Sequence, residues 1–354
     1  MQNTKKELDN LISIVVKEGA SDLHLSANRY PAIRVMGNLI PLVNTAILSE
    51  EDTLNLAHVL MGDDNFKKFV DTKEADFSYE VEKVVRFRGN AFFQKGAVGV
   101  ALRVIPSNIK TINELSLPPI LESFTRKKQG FFLVVGPVGQ GKSTTLASMI
   151  NLINRERAEH IITIEDPIEY LFKEERSIID QREVRLDTSD FHTALTSAFR
   201  QDVDVIMIGE MRDPQTISAA VTAAETGHLV LSTLHTNNAS QTIDRIIDSF
   251  PAEQQGQIRI QLAGSLIAIF SQRLIPKISG GQVPAYELLI NNNAVSSLIR
   301  EGRTHEINVI IETGLREGMI DMNRSLSDLV RRGEITPDNA YLHSFNPKGL
   351  EKLL

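Results

Sequence analysis

Cysteine is absent from this 354-residue chain. Without it no disulfide can form, and no cysteine-ligated zinc site can be built. No apolar run approaches the roughly 18 residues that a membrane-spanning helix needs. Contact with a membrane is therefore expected to run through another protein, without direct insertion. The first residues, MQNTKKELDN, lack the apolar core of a signal peptide. A basic excess is missing too: 38 Lys and Arg stand against 45 Asp and Glu, a net charge of −7. That counts against a free-standing nucleic-acid binder. There is no internal repeat and no low-complexity segment. What remains is an ordinary globular composition, 42% hydrophobic and 23% charged, with length for two or three domains. A cytoplasmic location is the default expectation.

Leu8, Leu11, Ile12, Val15 and Val16 recur at helical spacing, with Gly19 as a stop. Residues 23–26 alternate like a strand, and Gly37-Asn38 is a hairpin signal. Ser49 and Asp52 have the form of a capping box ahead of a helix through His58 and Leu60. Strands are expected over 76–81, Val85–Gln94 and 98–105, so residues 1–115 read as a small α+β domain. Ser116-Leu117-Pro118-Pro119 punctuates the chain, and the pattern then changes. Apolar strands at 131–135, 161–164, Val205–Ile208 and 229–231 alternate with helices, one of them opened by Asp213-Pro214. That alternation predicts an α/β core over 116–277, with a mostly parallel sheet covered on both faces. Residues 278–354 form a C-terminal, mostly helical region; from Asn293 onward only helices are expected, broken at Gly302, Gly314, Gly318 and Gly333.

Gly136-Pro137-Val138-Gly139-Gln140-Gly141-Lys142-Ser143 fits the phosphate-loop pattern, with an apolar strand before it and a helix after it. Glycines let backbone N–H groups curl around phosphate oxygens, and the helix start adds positive potential. Lys142 supplies charge to the β- and γ-phosphates, the Ser143 hydroxyl can ligate Mg²⁺, and Thr144 can reach the α-phosphate. The pattern indicates a nucleoside triphosphate, not which one.

Three further segments lie near predicted strand ends. Glu165 and Asp166, with Pro167 turning the chain, can orient an attacking water. In DVIMIGEMRD (204–213), a glycine stands where an aspartate often ends such a strand, and Glu210 follows it. Glu210 can hold Mg²⁺ through water or position the attacking water. His228 and His235 bracket a strand; neither has a carboxylate at metal-ligand spacing, and His235, at the carboxyl end, is the better γ-phosphate contact. Arg86 and Arg88 share one face of a strand, and Arg103 repeats the pattern. Such arginines form a solvated face or reach a neighbour's nucleotide.

Taken in order, these segments resemble the type II and type IV pilus secretion ATPases, above all the retraction ATPases of the PilT family. The stretches that carry the resemblance are GASDLHL, RFRGNAFFQ, GPVGQGKSTTLASMI, IEDPIEY, IGEMRD, TAAETGHLVLSTLHT, IDRIIDSFPAEQQ, AVSSLIREGRTHEI and GMIDMNRSLSDLVRRGEI, which span nearly the whole chain. The resemblance implies a PAS-like N-terminal domain, a RecA-like ATPase domain, a ring of six subunits, and nucleotide between the two domains. It places Lys142 and Ser143 on the Walker A positions and Glu165 on the catalytic glutamate. Glu210 falls on an atypical Walker B, His228 and His235 on the histidine box, and Arg86, Arg88 and Arg103 on arginines that approach nucleotide. Two departures stand out. Val138 and Gln140 replace the usual Thr and Ser, and Ala294-Val295-Ser296-Ser297 replaces Ala-Ile-Arg-Asn.

The implied activity is ATP hydrolysis with Mg²⁺. Domain rotation would pass to an inner-membrane pilus platform protein, from the cytoplasmic face, to disassemble a fibre. Alternatives are a pilus assembly, competence or type II secretion ATPase, a DNA motor on the same core, or an accessory paralogue that works with another retraction ATPase. Longer secretion relatives carry a four-cysteine zinc element, which this chain lacks. Of the two glutamates, Glu165 is the better general base, and Glu210 the better organiser of Mg²⁺ and its water.

Overall fold

The computed structural model describes residues 2–81, 85–106 and 108–354. The chain divides into two compact units, Met1–Asn108 and Ile109–Leu354. The first contains strands β1 (Asp22–Ser26), β2 (Ala32–Val35), β3 (Asn38–Pro41), β4 (Glu74–Val81), β5 (Val85–Gln94) and β6 (Ala97–Ile105). They form one antiparallel sheet in the order β3-β2-β1-β6-β5-β4. Helices Gln2–Lys17 and Glu50–Thr72 supply Leu8, Leu11, Ile12, Val15, Leu56 and Phe69 to its core, against Leu23, Ile33, Phe87 and Leu102 of the strands. Val16, which the helical period put on the same face, is exposed instead. The capping box forms as expected: the Ser49 hydroxyl accepts from Asp52 N–H at 3.1 Å, and the Asp52 carboxylate accepts from Ser49 N–H at 2.8 Å.

The hairpin turn falls one residue earlier than Gly37-Asn38. Val35 pairs with Asn38, so Met36-Gly37 makes the loop. Their φ angles of 48° and 85° are the left-handed values that a two-residue loop of type I′ needs at both positions.

The second unit is built on strands β7 (Gly130–Val135), β8 (His160–Glu165), β9 (Ile178–Glu183), β10 (Val205–Ile208), β11 (Leu229–Leu234), β12 (Leu266–Pro276) and β13 (Gln282–Ile290). The sheet order is β13-β12-β7-β11-β10-β8-β9, parallel except for the β12–β13 pair. Phe131, Leu133 and Val135 of β7 enter one buried cluster, and Phe132 and Val134 the other. Both faces are therefore dry, as a parallel sheet between two helix layers requires. Three strands lie outside the expected set. β9 is an edge strand with exposed Ile178, while β12 and β13 carry the buried polar residues Ser271, Gln272 and Glu287. Residues 109–115, grouped by pattern with the first domain, belong to the second unit: Ile112 packs in the same cluster as Phe124 and Phe132. From Asn293 the chain is helical, apart from a bridge of Ile320 to Leu288.

Helix Pro214–Glu225 begins at Asp213, whose carboxylate accepts from the Thr216 N–H and hydroxyl, both at 2.7 Å. Asp213→Ala is expected to cost about 1 kcal/mol, seen as a lower urea midpoint at constant m. No helix among the described residues is long and apolar enough to cross a membrane.

Candidate nucleotide site

The carboxyl ends of β7, β11, β10 and β8 lie side by side in the sheet, the place where parallel α/β sheets hold ligands. Each delivers one segment. β7 runs into the loop 136–141 and the helix Lys142–Glu156. β8 ends on Glu165, β10 is followed by Gly209-Glu210, and β11 by His235. A cavity of about 330 Å³ opens among them, with Lys142, Ser143, Glu165, Glu169, Glu210 and His235 in its lining.

Lys142 is only 7% exposed. Its ammonium donates to the Pro137 carbonyl at 2.9 Å and lies 3.3 Å from His235 Nδ1. Among the described residues no carboxylate is within ion-pair distance. Burial pushes its pKa down, while the more distant Glu169 and Glu210 carboxylates act the other way. A buried cation without a counter-charge is a site for an anion. The glycine loop and the start of a 15-residue helix point the same way, so the residues present fit a nucleotide phosphate.

Glu165 is 6% exposed. Thr163 Oγ1 donates to its Oε1 at 2.7 Å, Gln181 Nε2 to the same oxygen at 3.3 Å, and Glu169 N–H to Oε2 at 3.2 Å. Burial dominates these bonds and pushes its pKa up to about 7. That is where a general base works best at neutral pH. Glu210 is ion-paired with Arg212, and its Oε2 lies 3.5 Å from His235 Nε2. His235 thus stands between Lys142 and Glu210. Among the described residues no cluster of three or more His, Asp or Glu side chains can hold a metal alone. Ser143 and Glu210 both line the cavity, and their hydroxyl and carboxylate oxygens are the kind of donors that Mg²⁺ takes.

Other expected positions are occupied differently. The Thr144 hydroxyl is 2.8 Å from that of Tyr170. Val138 is 80% exposed at the loop tip. A side chain at Gly209 would meet nothing nearer than the Ile164 carbonyl at 3.4 Å, and the backbone there is not left-handed. Glycine is therefore not required by crowding within this chain. His228 precedes β11 at its amino end, with Nδ1 3.0 Å from the Ala223 carbonyl and its ring edge-on to Phe199. It does not line the cavity, because a six-residue strand of about 20 Å separates it from His235.

The three arginines lie in the first unit. Arg88 is the cross-strand neighbour of Arg103, Arg103 of Asp22, and Asp22 of Arg34. Arg86 shares the face of Arg88. Asp22 holds Arg103 at 2.9 Å and Arg34 at 3.6 Å. Burial works to raise its pKa, but hydrogen bonds from Ser21 and Arg103 and the Arg103 charge leave it lowered.

Gln181 and Gln272, which hold Glu165 and the phosphate loop, lie on β9 and β12, two strands outside the expected set. Glu169 and Arg212 had a signal, being in the quoted motifs.

The family model described as "Type II/IV secretion system protein" matches residues 2–304. The type IV pilus retraction ATPase PilT of Pseudomonas aeruginosa is 44% identical over 94% of this chain and 97% of its own length. A twitching motility protein of Neisseria gonorrhoeae is 45% identical over 90% of this chain and 86% of its own. A crystal structure of the pilus retraction motor PilT with bound ADP superposes with a TM-score of 0.90 at 46% identity, covering 96% of this chain and 98% of that one. A buried lysine in a phosphate loop and a buried glutamate across the same cavity are thus set in a chain that matches these proteins nearly end to end: it belongs to the type II/IV secretion system protein family.

Proposed function

We propose that this chain is an ATPase motor that powers type IV pilus retraction. The observation that carries the pilus reading is the match along nearly its whole length to retraction ATPases. The chemistry rests on Lys142, Glu165 and Glu210 lining one cavity. Lys142 and the loop N–H groups bind and orient the phosphates. Ionised Glu165 takes a proton from water as the water oxygen bonds to the γ-phosphorus. The bond from that phosphorus to the β,γ-bridging oxygen breaks, and ADP leaves with phosphate. Mg²⁺, when bound, neutralises phosphate charge. Ser143 and Glu210 would hold it, and His235 would face the γ-phosphate. Arg86, Arg88 and Arg103 are the first unit's candidates for the phosphates, and His228 has no role in this scheme. Six copies form a ring in the cytoplasm and act on a membrane platform protein of the pilus machine.

A deletion strain tests direction. Excess surface fibres with lost twitching are expected, restored by the wild-type gene but not by Lys142→Ala. A strain without fibres would assign the motor to assembly instead.

A further inference from the structure

We propose that Gln272 and Gln140 are positioning residues that lock the phosphate loop in its anion-accepting form before nucleotide binds. The inference rests on the nucleotide reading of the cavity; Gln140 belongs to the phosphate loop itself, and Gln272 to the strand behind it. Gln272 lies on β12 and is 3% exposed. Its Nε2 donates to the Gln140 carbonyl at 2.7 Å, and its Oε1 accepts from the Thr145 hydroxyl at 2.7 Å. The Gln140 side chain returns the contact: its Oε1 accepts from Leu274 N–H at 2.7 Å. Loop and helix start are thus tied to one strand by three bonds. The fit is close. A Cβ at Gly136 would lie 2.5 Å from the Gln272 carbonyl oxygen, and one at Gly141 3.0 Å from Gln272 Nε2.

The peptide linking Gln140 to Gly141 shows why this matters. In a planar trans peptide the carbonyl and the following N–H point opposite ways. Gln272 draws the Gln140 carbonyl toward β12, so the Gly141 N–H points away from β12. That N–H has no hydrogen-bond partner among the described residues. It is a donor kept free for an anion. If the peptide flipped, an oxygen would face the phosphates where a donor is needed. Such a flip is cheap beside glycine, since Gly141 already sits at φ +76°. Gln272 is placed to oppose it, and Gln140 fixes the loop to the same strand.

The test uses the full chain and ADP. Dissociation constants are measured for wild type, Gln140→Ala, Gln272→Leu and the double variant, with kcat at saturating ATP and the nucleotide-free melting temperature. Gln140→Ala is expected to weaken ADP about 5-fold and Gln272→Leu about 20-fold, one and two lost hydrogen bonds respectively. For Gln272→Leu, which lies on β12 outside the loop, kcat should change by less than about threefold, because Glu165 is untouched. The double variant should match Gln272→Leu within about twofold, since both act on one loop geometry. Constants within twofold of wild type would overturn the proposal. So would multiplied effects in the double variant, or a lowered melting temperature with ADP affinity intact. If Gln272→Leu does not fold, Gln140→Ala decides alone. A wild-type chain that ignored ADP would overturn the nucleotide reading and this inference together, whereas a wild type that binds with unaffected variants overturns only the inference.

Discussion

Glu165→Gln is expected to lower kcat by about 10³-fold, in the range general base catalysis supplies, while ADP affinity stays within about twofold. The substitution is nearly isosteric, and the amide oxygen keeps the acceptor facing Thr163. What is lost is proton affinity. Glu165 is pushed up to about 7 by burial, so wild-type turnover should rise as pH increases through about 7 and then level off. The variant should be flat there. Stability runs the other way. The group's proton affinity is higher folded than unfolded, so its favourable contribution is complete below the ordinary glutamate pKa of ~4.3 and is lost as pH rises through about 7. Thermal melts of wild type and variant from pH 4 to 8 check the sign: their difference should shift toward the variant with rising pH. A variant retaining wild-type turnover would remove Glu165 from the chemistry.

Lys142→Ala should weaken nucleotide by at least about 10²-fold and abolish measurable turnover. A charge-assisted contact in a desolvated site is among the strongest single contacts available. Among the described residues the ammonium has only the Pro137 carbonyl and a His235 nitrogen as partners. Removing it also relieves a buried, uncompensated charge, so the nucleotide-free protein should melt no lower than wild type, and slightly higher if burial dominates. Loss of ADP-induced stabilisation, with no loss of intrinsic stability, is the expected signature in a melting titration. Equal ADP affinity in the variant would exclude Lys142 as a phosphate ligand.

Much of this site was legible because its signals are local. A phosphate loop needs glycines, a lysine and a helix in fixed order, and the capping acids at Asp52 and Asp213 act within three residues. Glu165 and Glu210 were found because acidic residues follow apolar strands. What could not be read is long-range. The 132-residue separation between Gln140 and Gln272 leaves no periodic trace. β12 opens on the apolar run 266–270, which directly follows a helix and by periodicity alone suits a buried helix as well as a strand, and edge strand β9 shows too little apolar surface. Domain punctuation at Pro118-Pro119 misled for a related reason: turn chemistry marks where the chain bends, not which core Ile112 and Leu117 join. His228 and His235 were read as bracketing one strand, and they do stand at its opposite ends, with His235 alone of the two lining the cavity.

The antiparallel β12–β13 pair has a mechanical consequence. Its register runs without a break from Ala268–Ile290 to Pro276–Gln282, and the same β12 abuts the phosphate loop through Gln272 and Leu274. Tension that slides one strand along the other must shear all those ladder bonds together, whereas peeling would open them one at a time. A load entering along β13 from the C-terminal helices would therefore meet a stiff joint at the edge of the nucleotide cavity, and compliance would have to be found elsewhere in the chain.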